Sequence, residues 1–171
     1  MMNTSQTVPD LITQAQAQAK APEDVISTLR SDLNGQSPSK AQADDLRAAK
    51  IELERTAVDI FSLFEARMQH HFKRGPFSRK LKAALLDAGH TDLADRFHKY
   101  YLAMNVLKHG TGASHRELLD MTTKLFHVQR ANNETPQDAP APSPLIDIGV
   151  SGFFDGFTAT LLEAYQFLEK K

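Results

Sequence analysis

Cysteine is absent from the 171 residues, and so is tryptophan. Without thiols the chain has no disulfide framework, no thiolate metal site and no cysteine nucleophile. That composition fits a reducing, cytoplasmic setting. Long apolar runs are missing too. Nothing approaches the roughly 18 consecutive apolar residues that a membrane span needs, so no membrane partner is expected. The first twenty residues are rich in Gln and Ala and lack both an apolar core and early basic residues, so neither a secretory signal nor a transit peptide is expected there. No His-Glu-x-x-His, no Gly-x-Ser-x-Gly and no phosphate-loop lysine pattern occurs, which leaves metalloprotease, serine hydrolase and nucleotide triphosphatase readings unsupported. His70 and His71 are adjacent, so on a helix their rings point about 100° apart, a poor spacing for one metal ion. Neither a metal nor a cofactor is expected.

What is present suits a folded chain. A hydrophobic share of 41% with 24% charged residues supports a core and argues against disorder. Helical periodicity dominates. Leu46, Leu53, Ala57, Ile60, Phe64 and Met68 form one stripe of a helix from about Gln42 to Phe72, stopped by Gly75-Pro76. A short basic helix from about Phe77 to Ala88 follows, with Gly89 at its left-handed end. Thr91 is a suitable N-cap for a helix from Asp92 to His109, whose core stripe is Leu93, Phe97, Tyr100, Met104 and Leu107. Ser114 and Glu117 read as a capping box for a helix reaching about Arg130. A last helix spans about Gly152 to Glu169. The expected fold is therefore all-α, a bundle of about five helices, with one candidate short strand near the C-terminus at Leu145 to Val150. Residues 1–39 are expected to be a tail (1–20) and a short helix from Pro22 to Leu33. Residues 40–171 are expected to form the bundle domain, interrupted by a Pro-rich loop at 131–144.

The net charge of −1 conceals an asymmetry. From Arg67 to His109 there are nine Lys or Arg against three Asp or Glu, so that stretch carries +6 and the remainder −7. Five of the seven histidines lie there as well. A basic, His-rich middle points to an anionic partner, although a solvated helix face accounts for the same charges.

On the helix ending at His109, residues Asp95, His98, Leu102, Asn105 and His109 share a face that is separate from the core stripe. Asn105 and His109 are one turn apart and can meet one ligand. A histidine in the last turn is also an ordinary helix stabiliser, contributing about 0.3–1 kcal/mol. The pair Asn105-x-x-x-His109, near the end of a long amphipathic helix, resembles the motif of the HEPN superfamily. In that family an Arg is usually followed by a polar residue such as Asn, and then by His. The likeness covers Gln42 to Arg130 in layout but only two residues in motif. The family's Arg position is Met104 here.

What the resemblance implies is an RNA- or nucleotide-binding helical domain, working as a homodimer whose two motifs meet. In its catalytic members it implies metal-independent RNA cleavage of a defence or toxin-type system. There the RNA 2′-hydroxyl attacks the phosphate, His transfers protons and Arg stabilises the phosphorane. On that reading Asn105 and His109 are the catalytic candidates, and Arg79, Lys99, Lys108, His98, Tyr101 and His115 are candidates for phosphate or base contact. Loss of the Arg removes a stabilising charge whose absence costs about 10²–10³ in rate at comparable sites, unless Lys108, Lys99 or Arg79 replaces it. The alternative is a non-catalytic, dimeric helical interaction or scaffold protein, which tolerates Met104.

Overall fold

In a computed structural model describing residues 6–136 and 141–170, the chain is an all-α bundle. Its helices are α1 (Val8–Leu33), α2 (Lys40–Met68), α3 (Phe77–Asp87), α4 (Thr91–His109), α5 (Ala113–Leu119) and α6 (Phe153–Glu169). A 3₁₀ turn, Gln69–His71, extends α2.

The first departure from expectation is at the N-terminus. Described residues of the expected tail belong to one 26-residue helix, α1, which continues through Pro22. Thr7 caps it, accepting from the Asp10 amide while the Asp10 carboxylate accepts from the Thr7 amide. Leu11, Ile12, Ala15, Ala19 and Ile26 are buried, largely against α2 and α6. Gln16 donates to Thr158 of α6 at 2.8 Å. The apolar stripe is thin and made partly of alanine, so its periodicity is faint in sequence even though alanine favours helix. Residues 1–5 of the expected tail lie outside the described residues.

Ser39 and Gln42 form the capping box of α2. Leu53, Ala57, Ile60, Phe61, Phe64 and Met68 then face the core, as the 3.6-residue stripe requires. α3 ends where Gly89 adopts φ +85°. The His90 amide donates back to Leu85 and the Gly89 amide to Leu86, a helix stop that a left-handed glycine permits. α4 and α6 pack closely enough that a methyl group on Gly156 would sit 2.8 Å from the Tyr100 hydroxyl. Phe61, Phe97, Tyr100, Phe153 and Phe157 join the aromatic centre there. Burial pushes the Tyr100 hydroxyl up to about 12.

The helix expected from Ser114 to Arg130 stops at Leu119. Its capping box does not form: the helix starts at Ala113 with Gly112 as N-cap, which puts Ser114 inside the first turn, where it accepts from Asn105 while Glu117 meets His98. Thr123 then turns the chain by accepting from the Leu125 amide, a local bond that competes with helix. The released segment supplies β1 (His127–Val128), antiparallel to β2 (Ile146–Asp147). The expected strand at 145–150 is thus two paired residues long, and Leu145, Ile146 and Ile148 are all buried. Of the Pro-rich loop, residues 137–140 lie outside the described residues. Ser143 is held on α2 by donating its amide to both carboxylate oxygens of Glu54, at 3.1 and 3.0 Å.

Candidate functional site

The motif residues of α4 sit in different surroundings. Met104 is 0% exposed, within the core stripe that the helical period assigns it. Its neighbour Asn105 is half-buried and donates to the Ser114 hydroxyl at 3.1 Å. One and two turns earlier on the same face, Leu102 is buried and His98 contacts the Glu117 carboxylate. These contacts place α5 over much of the face that the HEPN resemblance reserves for RNA and a partner's motif. His109 is exposed at the end of α4, with no hydrogen bond or ion pair to a described residue. Gly110 follows at φ +72°, its amide donating to the Val106 carbonyl.

The expected phosphate contacts divide in a similar way. Lys99 pairs with Asp95 one turn away at 2.8 Å, so its charge is largely spent. His115 is 3% exposed and donates its Nε2–H to the Gln129 carbonyl at 2.7 Å. It fastens α5 to the segment after β1 rather than facing solvent. Tyr101 is half-buried, its ring centroid 6.4 Å from Phe61 and 6.2 Å from His98. Lys108 is exposed, and its charge holds down the Glu65 carboxyl. Burial acts more strongly on Glu65, raising it overall even though Ser78 donates to it at 3.1 Å. Among the described residues no cluster of three His, Asp or Glu side chains is arranged to hold a metal ion.

Arg79, the remaining candidate, lies elsewhere and in different company. From Ala66 to Leu86 there is no Asp or Glu at all. The turn after α2 and the start of α3 carry Lys73, Arg74, Arg79, Lys80 and Lys82, none of which forms an ion pair with a described residue. His71, Phe72, Lys73, Arg74 and Lys80 line an open cleft of about 520 Å³. Gly75 shapes it. At φ +91° it reverses the chain, and its missing side chain leaves room for Lys80, whose Cε would stand 2.9 Å from a Cβ there. Lys80 is thereby drawn back over the turn toward Lys73 and Arg74. Phe72 is half-buried beside Phe77, with centroids 5.7 Å apart. At the cleft's edge the Glu169 carboxylate stands 4.0 Å from His71.

The corner thus brings three cations without ion-pair partners among the described residues, Lys73, Arg74 and Lys80, beside the Phe72 ring, a combination of charge and aromatic surface that suits phosphates and bases in general. The expected contacts do not include Lys73, Arg74, Lys80 or Lys82, which stand apart from the α4 motif. The signal that finds them is the acid-free run itself, which is legible in the sequence.

Fold and corner together define the class of this protein: an all-α bundle with a cationic corner. Compared with protein-family models, curated proteins and solved structures, the chain matches none.

Proposed function

We propose that the chain is a non-catalytic RNA-binding helical protein that grips the phosphate backbone of single-stranded RNA at the corner formed by Lys73, Arg74, Arg79, Lys80 and Lys82. The observation that carries this reading is a cleft lined by Lys73, Arg74 and Lys80 with Phe72 in its wall, followed on α3 by Arg79 and Lys82, none of the five forming an ion pair with a described residue. If the relationship to HEPN domains holds, the likeness is to members that bind without cleaving. Met104 lies in the core, so a charge at that position has no route to a phosphate, and Asn105 is engaged with α5.

Binding of this kind is electrostatic and carries a salt signature. For single strands the slope of log K against log salt is about −0.7 per neutralised phosphate, so five contacts give about −3.5. Fluorescence anisotropy with a labelled single-stranded RNA, titrated between about 50 and about 200 mM salt, measures it. Lys73→Glu with Arg74→Glu should weaken binding more than about tenfold and flatten the slope by about 1.4. His109→Ala should bind as the wild type does and should share its failure to cleave RNA in EDTA. A wild-type slope near zero, or full affinity in the double variant, removes the proposal. Cleavage that His109→Ala abolishes restores the ribonuclease reading.

A further inference from the structure

The other end of α2 carries a second, chemically different cleft. It lies about 30 Å from the cationic corner, at 1.5 Å per residue from Arg47 to Met68. Its volume is about 410 Å³, and its walls are mostly apolar: Ala43 and Leu46 on α2, Pro38 before the helix, and Pro142 and Pro144 opposite. The opposite wall is pinned, because Ser143 between the two prolines donates its amide to Glu54. Arg47 and Lys50 line the same cleft, and neither pairs with a described carboxylate. At about 100° per residue Ala43, Leu46, Arg47 and Lys50 share one face of α2, Asp45 is on the far side, and Asp44 is displaced to the flank. Glu54 lies behind the cleft and is 8% exposed.

These walls constrain the occupant. Proline has no N–H, so Pro38, Pro142 and Pro144 offer no donors for pairing with an extended strand. With few donors in the wall, the features on offer are an apolar slot and two cations, the features an amphipathic helix uses when it docks in a groove. The volume lies near the low end of the range of about 300–1,000 Å³ found for ligand clefts and admits a few anchoring side chains rather than a long interface.

We infer that this cleft seats an amphipathic helix of a partner protein, with aliphatic anchors spaced i, i+3 or i+4 and Asp or Glu beside them to meet Arg47 and Lys50. The site is independent of the RNA-binding corner.

The test is anisotropy with two labelled helical peptides of about 18 residues, each with a Leu stripe, one flanked by Glu and the other by Lys. The Glu peptide should bind at least about tenfold more tightly than the Lys peptide. Arg47→Glu with Lys50→Glu should reverse that order, and Ala43→Trp, a change at an exposed position that fills the slot, should abolish binding. Lys73→Glu with Arg74→Glu should leave it intact, which separates this cleft from the RNA corner. Equal binding of both peptides, no binding of either, or Glu-peptide binding that survives Ala43→Trp overturns the proposal. So does a sedimentation experiment in which the protein self-associates and Ala43→Trp makes it monomeric, since the occupant is then a second copy.

Discussion

Replacing Glu54 with glutamine should stabilise the protein above neutral pH and change little below about pH 5. Glu54 sits in the middle of α2, 8% exposed. Burial pushes its carboxyl up from 4.5 to about 7; the Ser143 amide and Lys50 pull it down, and Asp147 pushes it further up. The native state therefore holds this proton more tightly than the unfolded chain does between those two values. As pH rises through the window the unfolded state loses its proton first, and stability falls until the native carboxyl has also ionised. At about 1.4 kcal/mol per pH unit, the full span costs the wild type about 3.5 kcal/mol, of which about 2.5 kcal/mol is lost between about pH 5 and about pH 8. Glutamine keeps an oxygen for the Ser143 amide and carries no charge. Its added NH₂ finds no assured acceptor, which returns about 1 kcal/mol of the gain. The expected result is a variant about 1–2 kcal/mol more stable than wild type at about pH 8 and level with it or slightly weaker at about pH 5. Urea unfolding of both proteins at several pH values measures this. Glu65 and Glu23 are also raised by burial, but they titrate in both proteins and cancel in the difference. A difference that stays flat with pH, or a variant less stable at about pH 8, would refute the reasoning.

Two further outcomes follow from the same packing. Met104→Arg, which restores the motif's charge, should cost about 3–5 kcal/mol in chemical denaturation, because the side chain is 0% exposed and an unpaired buried charge is strongly destabilising; a cost below about 1 kcal/mol would show that the side chain escapes to solvent. Removing residues 1–20 strips buried Val8, Leu11, Ile12, Ala15 and Ala19 from the core. At about 1.5–3 kcal/mol for each larger apolar side chain this rivals the total stability of a small domain, so the truncated protein should lose its cooperative thermal transition by circular dichroism.

How far the fold could be read in advance depended on the strength of the periodic signal. α2, α4 and α6 carry wide stripes of Leu, Ile, Phe and Met, and their spans came out within a few residues of the expected ones. α1 is faint in the sequence because its core-facing positions are partly Ala, whose burial contributes little contrast, and because Pro22 has the look of a helix start although it is buried inside a longer helix. The capping pattern of Ser114 and Glu117 bears only on where α5 starts, and its end at Leu119 is set by the turn in which Thr123 accepts from the Leu125 amide. Asn105 and His98 are the tertiary partners of those two side chains. The partner of the short strand was not legible at all, since a two-residue ladder leaves almost no alternation to detect.

The site shows the same division between local pattern and tertiary use. Helical spacing correctly puts His98, Leu102 and Asn105 on one face, but spacing cannot say what covers that face, and α5 does so with residues only nine to nineteen positions away in the chain. Charge counting met a related limit. The +6 of residues 67–109 included Lys99, which Asp95 neutralises one turn away, and Arg96, which three groups share: Asp92, Thr160 and Glu163. A cation's availability is set by its acidic neighbours at i±3 and i±4 and across the fold, so the net count of a stretch overstates some positions and hides others. Between Ala66 and Leu86 no acid exists to do the neutralising, and there the sequence count and the spatial arrangement agree. Lys73, Arg74, Arg79, Lys80 and Lys82 therefore keep their charge free of ion pairs with described residues, as Lys99 and Arg96 do not.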